Sequence, residues 1–412
     1  MNILYITTEG FDTINANNHL NLSLIEDLLK AGNNVILMQS KRSNEESVPL
    51  RLSVYKSFKS IEIFRNKIEK KKMILRGLNE IKFYKDIFAY FKHHELNVDI
   101  VYYQSSGLSF YFVPKLQKII NKPIIMNIQD LFPESVKSTR KLMLYPIILV
   151  IGYLQKKTYK LITKFIVISE DVRYLLSKKG VSESKIEVVQ NWYDDEVIYP
   201  VVLSDNKFMM KYSLTKKKFI VQYAGNLGYV LDYNFLTKLA LFLINNNDIL
   251  IQIVGDGSNK EYLTNLCKEH NISNIEIFPI QPLEIVRDVY SFADLCLIPL
   301  KKGVIFHSVP SKASVAMACS TPIIVICDTE SFYAKDINHN KVGKCFNSDE
   351  VEEAAKFILD ISSNIKKHQD FKKNAIEYAT SKLNRQINTK KIIDVIENVK
   401  EYNKNGRKKK TT

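Results

Sequence analysis

The chain has 412 residues, of which 46% are hydrophobic and 25% charged, with a formal net charge of +15 at pH 7. A single hydrophobic core rarely grows beyond about 250–300 residues, so two domains are expected, and the ordinary globular composition excludes disorder away from the ends. The basic excess favours anionic partners, yet paired Cys/His zinc spacing and an aromatic RNP pattern are both missing; this points away from nucleic acid and toward phosphorylated ligands or anionic lipid, although so thin a spread of charge also fits a solvated Lys-rich surface.

The N-terminus enters a strand-like run, residues 3–6, with no basic region before it, so no signal peptide is expected. Residues 18–31 carry Leu20, Leu24 and Leu28 at helical spacing and end at Gly32, a C-cap signal. Strand-like runs follow at 35–38, 99–103, 123–127, 165–168 and 186–189, with helix-like stretches between. The run 142–154 is uncharged, but its 13 residues are too few to cross a bilayer. Polar, aperiodic sequence with Pro200 breaks the rhythm at 191–213. The pattern then restarts with strands at 219–224, 249–254, 275–278, 295–299 and 322–326. From about Ile365 the chain reads as helical and Lys-rich, ending in the basic tail Gly406-Arg407-Lys408-Lys409-Lys410. The cysteines Cys267, Cys296, Cys319, Cys327 and Cys345 form no C-x-x-C pair, which argues for reduced thiols in a cytoplasmic protein.

Repeated β-α-β units with wholly apolar strands mean parallel sheets covered on both faces. The expected fold class is α/β: two Rossmann-like, doubly wound domains facing a central cleft. The domains are placed at 1–195 and 216–380, with a linker at 196–215 and a C-terminal helix and basic tail at 381–412. Ligands of such sheets bind at strand carboxyl ends.

Candidate site residues follow from that rule. Gly225, Asn226 and Gly228 follow a strand, where glycines let backbone approach a phosphate; taken alone they also fit a plain βα turn, where glycines are common. Gly255, Asp256 and Gly257 also end a strand and open a helix. Pro310, Ser311 and Lys312 precede a helix reaching to about Cys319, with Ser311 as its N-cap. A cation in a first helical turn is locally unfavourable, so Lys312 points to an anionic partner or is simply solvated. In the first half, Asp130 and Glu134 lie just past a strand, where one could orient or deprotonate an acceptor hydroxyl. Glu9 and Gly10 follow the first strand as acceptor-side candidates. The histidines His19, His93, His94, His270 and His339 show no metal-ligand spacing, and Trp192 is expected to pack at the domain junction.

The order of these blocks is more specific than any one of them. Ile128-Gln129-Asp130-Leu131-Phe132-Pro133-Glu134, Ile168-Ser169-Glu170, Gln190-Asn191-Trp192, the glycine loops, Pro310-Ser311-Lys312 and Met317-Ala318-Cys319 resemble the family-4 retaining glycosyltransferases of GT-B fold. Within that family they are similar to the bacterial branch that builds capsular, exopolysaccharide and O-antigen repeats. The resemblance covers nearly the whole chain. It implies a hexosyltransferase that needs no metal or other cofactor. A nucleoside-diphosphate sugar, UDP-linked, would be held by the C-terminal half, and a polyprenyl-diphosphate-linked saccharide would be the acceptor.

The sequence departs from the family at several positions. The two glutamates the family places eight apart fall on His307 and Val315. Its phosphate-binding Arg and Lys fall on Asn226 and Leu231, and Ser320 stands where Gly is usual. Two rival readings remain open: a nucleotide-sugar epimerase of the same fold, and a catalytically degenerate binding subunit. Lys137, Arg140 and Lys141 before the uncharged run, and Lys156, Lys157, Lys160 and Lys164 after it, also fit a helix lying on an anionic membrane surface. A buried core helix fits equally well. The first alternative makes the protein peripheral at the inner face of the cell membrane.

Overall fold

The apolar runs become parallel strands. The computed structural model describes residues 1–12, 18–43, 48–66, 68, 73–134 and 145–408. Lys137, Arg140, Lys141, the start of the uncharged run at 142–144, and Lys409 and Lys410 lie outside the described residues.

Two compact units are formed, one from 1–190 with 386–412 and the other from 191–385. In the first unit the strands are β1 (Asn2–Ile6), β2 (Asn34–Lys41), β3 (Phe58–Phe64), β4 (Ile100–Gln104), β5 (Ile124–Ile128), β6 (Lys164–Val167) and β7 (Ile186–Val188). They lie in the order β3-β2-β1-β4-β5-β6-β7, all parallel. Its helices are α1 (Asn18–Lys30), α2 (Leu50–Ser53), α3 (Met73–His93), α4 (Ser109–Ile120), α5 (Tyr145–Tyr159) and α6 (Glu170–Lys178). Every residue of β4 and β5 is buried, as strands covered on both faces require. Gly32 ends α1 in a left-handed conformation, φ +78°, and Ser169 caps α6 by accepting from the Val172 N–H at 3.2 Å.

The second unit repeats the plan with β8 (Phe219–Ala224), β9 (Ile249–Val254), β10 (Ile275–Phe278), β11 (Leu295–Pro299), β12 (Ile323–Ile326) and β13 (Gly343–Phe346), in the order β10-β9-β8-β11-β12-β13. Around them are α7 (Lys207–Lys211), α8 (Tyr233–Leu243), α9 (Lys260–Glu269), α10 (Val286–Phe292), α11 (Lys312–Ala318), α12 (Phe332–His339), α13 (Val351–Ser363) and α14 (Ile365–Lys382). A last helix, α15 (Arg385–Lys408), belongs from Gln386 onward to the first unit and buries Ile392, Ile396 and Val399. In each sheet the strand order reverses, between β1 and β4 and between β8 and β11. The loops leaving these neighbouring strands diverge, which opens a crevice at the carboxyl edge.

Three features differ from the sequence reading. Strands β3 and β13 were not anticipated. The stretch 196–215, expected as a linker, packs into the second unit, where Phe208 is fully buried and the Lys207 N–H donates to Asp288 Oδ1 at 2.6 Å. The division itself falls between Gln190 and Asn191, and the second unit extends through Arg385.

Candidate functional site

In the second unit the loops after β8 and β11 are tied together above the reversal. Lys301 N–H donates to the Val230 carbonyl at 2.9 Å, and Asp232 N–H to the Pro299 carbonyl at 2.8 Å. Leu231, at a position where the family resemblance puts a cation, is 2% exposed and bridges to Leu300.

Beneath the first of these loops runs Lys312. Its ammonium donates to the Tyr223 hydroxyl at 3.1 Å and lies 4.7 Å from the centroid of that ring. Tyr223 in turn donates to the Asn226 carbonyl at 2.7 Å, so the phenolic proton is committed and its oxygen faces the cation. Gly225 makes this possible. A Cβ there would sit 2.7 Å from Lys312 Cε and 3.1 Å from Nζ, and the residue adopts φ +144°. Among the described residues Lys312 pairs with no carboxylate. Burial lowers its pKa from 10.5 to about 8, with the Cys296 thiol as the only opposing influence. That thiol is no counter-ion, because its own burial pushes it up to about 12. Among the described residues, no three His, Cys, Asp or Glu side chains converge as a metal ligand set.

Gly255 and Gly257 serve a different end. A Cβ on Gly255 would lie 2.0 Å from the Gly225 carbonyl oxygen, and one on Gly257 would lie 2.5 Å from that of Leu227. These glycines let the β9 loop press against the β8 loop, joined by Gly225 N–H to Val254 O at 2.9 Å and Leu227 N–H to Asp256 O at 2.8 Å. Asp256 points outward and accepts from the Gly257 N–H at 2.9 Å. Asn226 is exposed, whereas Gly228 is buried with its carbonyl accepting from Tyr233 at 3.0 Å.

Ser311 does not cap its helix: its backbone is already helical, φ −58° and ψ −25°, and its side chain makes no cap bond. The helix α11 is only two turns long, and the Pro310 carbonyl takes the Ala313 N–H at 3.1 Å. Lys312 itself, more than a helix terminus, is therefore the cationic element. Ser320 sits at φ +59°, the left-handed conformation that glycine adopts most easily. His307 is buried at 5% exposure.

The first unit carries its own polar rim at the strand ends. Asp130 is exposed in the loop after β5. Glu134, expected beside it as a second acid, is held in an ion pair with Lys179 at 2.7 Å. Glu9 lies 3.6 Å from Arg42, and a Cβ on Gly10 would meet the Ser40 carbonyl at 2.0 Å, so this glycine brings the β1 loop onto β2. Arg65, which directly follows β3, is 7% exposed and donates to the Thr8 carbonyl at 2.9 Å. The side chains Thr7 and Asn21 both donate to Gln104 Oε1, at 2.7 and 3.1 Å, flooring the rim between β1 and β4. Sequence reasoning missed Arg65 together with β3. The signal was a short alternating strand ending in arginine. It also missed Tyr223, whose signal is a tyrosine two residues before the first loop glycine.

Two family models match the chain: Glycosyltransferase Family 4 over residues 20–197 and Glycosyl transferases group 1 over residues 204–378. The chain is similar to the probable glycosyltransferase WbjE of Pseudomonas aeruginosa, at 23% identity over 185 residues, 45% of this chain and 46% of that protein. It is also similar to the putative colanic acid biosynthesis glycosyl transferase WcaI of Escherichia coli (strain K12), at 22% identity over 152 residues, 37% of each chain. The chain thus spans less than half the length of the curated relatives it matches. Among solved structures, sucrose-phosphate synthase from Thermosynechococcus elongatus superimposes with a TM-score of 0.78 at 18% identity, covering 97% of this chain and 98% of that one. HepE from Anabaena, in complex with UDP-glucose, gives 0.69 at 14% identity, covering 97% and 100%. The fold of the two parallel-sheet units is the GT-B fold.

Proposed function

We propose that this chain, a glycosyltransferase of GT-B type related to polysaccharide-biosynthesis enzymes, moves a hexose-type sugar from a UDP-sugar to a lipid-linked saccharide in bacterial surface polysaccharide synthesis. The observation that carries the donor half is Lys312: a cation largely withdrawn from water, with no carboxylate partner among the described residues, fixed by Tyr223 under Gly225. Such a charge is costly when unpaired, and a diphosphate supplies the missing partner. The UDP-glucose complex of HepE supports the same donor class.

The chemistry follows from charge. When the anomeric C–O bond breaks, its electron pair moves onto the diphosphate oxygen. Lys312 stabilises that developing charge, together with the backbone N–H groups of Asn226 and Gly228; those of Gly225 and Leu227 are spent on the β9 loop. The sugar is transferred with retention and without a metal in this reading, as the sequence resemblance implies. On the acceptor side, Asp130 is exposed and suited to orient or deprotonate an acceptor hydroxyl, whereas Glu134, tied to Lys179, holds the loop.

A second reading, a subunit that binds the nucleotide sugar without turnover, is favoured by His307 and Val315 standing where the family resemblance expects glutamates. Calorimetry of UDP with the full chain and with Lys312→Ala tests the donor site, and unchanged affinity in the variant counts against it. Incubation with a panel of nucleotide sugars and a host membrane extract, read by mass spectrometry, separates the two readings. Product forms if the chain is an enzyme. Lys312→Ala then lowers turnover by roughly 10²–10³-fold, more than it lowers affinity.

A further inference from the structure

We propose that the outward face of α5 is a docking surface for an anionic lipid leaflet, and that it sets the Asp130 loop at that surface. The second half of this statement rests on the lipid-linked acceptor proposed above, whereas the first stands by itself.

Along α5, Leu149, Val150, Tyr153 and Leu154 are 53%, 60%, 60% and 37% exposed. Gln155, Thr158 and Tyr159 turn inward, each under 5% exposed. At 100° per residue the four apolar side chains share one side of the helix with Lys156 and Lys157, and Lys160 follows directly after the helix end; all three lysines are exposed. Residues 149–161 contain no Asp or Glu, and among the described residues none of the three lysines has a carboxylate partner. The face is therefore apolar at its start and cationic at its end, with no counter-charge of its own. The Lys157 ammonium lies 4.5 Å from the Tyr153 ring centroid, at the border between the two halves. An amphipathic tyrosine flanked by lysines suits the boundary between acyl chains and head groups. A second copy of the chain is the poorer occupant, because it would bring lysines against lysines. Negative head groups match the charge, and acyl chains cover the four apolar side chains.

The same helix supports the acceptor-side loop. A Cβ on Gly152 would lie 4.0 Å from Pro133 Cγ, so the segment that follows Asp130 runs beside α5. A helix lying in the leaflet holds Asp130 beside the head groups, where the saccharide of a lipid-linked acceptor begins.

The test uses the full chain with Tyr153→Trp. The native Trp192 is 2% exposed and gives a constant background. Phosphatidylglycerol/phosphatidylcholine vesicles containing brominated lipid are expected to float the protein at low salt and quench the new tryptophan; phosphatidylcholine alone does neither. Each lysine at such a surface contributes roughly fivefold in partitioning, so Lys156→Glu, Lys157→Glu and Lys160→Glu together should weaken it on the order of a hundredfold. Leu149→Ser with Val150→Ser should reduce quenching while leaving UDP binding unchanged. Absence of flotation on anionic vesicles, flotation that survives the triple lysine change, or flotation without quenching would each overturn the proposal. A chain that binds UDP but no vesicle sinks this inference alone. One that binds vesicles but no UDP sinks the donor reading alone.

Discussion

Lys312→Met is predicted to make the unliganded protein more stable and the enzyme much slower. Burial takes the ammonium from 10.5 to about 8, which corresponds to about 3 kcal/mol of penalty carried by the folded state at pH 7. Methionine keeps most of the volume and removes the charge. It forfeits the hydrogen bond to Tyr223, worth about 1 kcal/mol. A net gain of about 2 kcal/mol remains, or about 4–8 °C in the melting of the second unit. The sign is checked by pH. A lysine with a lowered folded pKa is protonated in both states below about 8, where the penalty is complete. Between about 8 and 10.5 the unfolded chain binds more protons than the folded one, so the wild type gains stability as pH rises. The gap between variant and wild type should therefore be largest at pH 7 and shrink by pH 9.5. Thermal scans of both proteins at the two pH values, with UDP calorimetry alongside, read every part of the claim. A variant that is less stable at pH 7 and still binds UDP normally would refute the reasoning.

Three further predictions concern single residues elsewhere. Gly255→Ala forces a methyl to within 2.0 Å of a backbone oxygen that no rotamer change can move, so the second unit should lose more than about 3 kcal/mol; an unchanged urea midpoint would contradict this. Asp130→Asn should lower turnover about 100-fold with no change in melting, because the side chain is exposed. Glu134→Gln should cost under about 1 kcal/mol of stability, since the pair with Lys179 is near the surface, and should lower turnover by less than tenfold. If Glu134→Gln were the slower of the two enzymes, Asp130 would not be the acceptor-side acid.

The strands that the sequence revealed are largely the central ones. Residues such as Ile124-Ile125-Met126 are buried on both faces and read as uninterrupted apolar runs. Strands β3 and β13 are edge strands in their sheets, and each carries charge, Lys59 and Glu62 in one and Lys344 in the other. With one side open to solvent, an edge strand needs no apolar run, so its signal is weaker, although the opposite edges β7 and β10 were still legible. Lys312 was legible because a cation in a first helical turn is locally wrong. Its support was not, since the contact with Tyr223 spans 89 positions in sequence. The glycines Gly255 and Gly257 look alike in sequence to Gly225, yet they press loop against loop while Gly225 makes room for Lys312. Only the identity of the nearest atom separates these roles, and spacing does not encode it.

The return of the chain to the first unit at Gln386 has a consequence for synthesis. During translation, the opening residues 1–190 leave the ribosome without the helix whose Ile392, Ile396 and Val399 are buried on the first unit's side of the division. At about 5–20 residues per second, the whole of 191–385 must be made before that helix appears, a delay of roughly 10–40 seconds. In that interval the second unit, continuous in sequence, is free to fold alone, while the first waits with an apolar surface uncovered. Nascent chains should therefore be most vulnerable to aggregation and proteolysis in their first half, and a deletion at the far C-terminus should damage the domain that was made first.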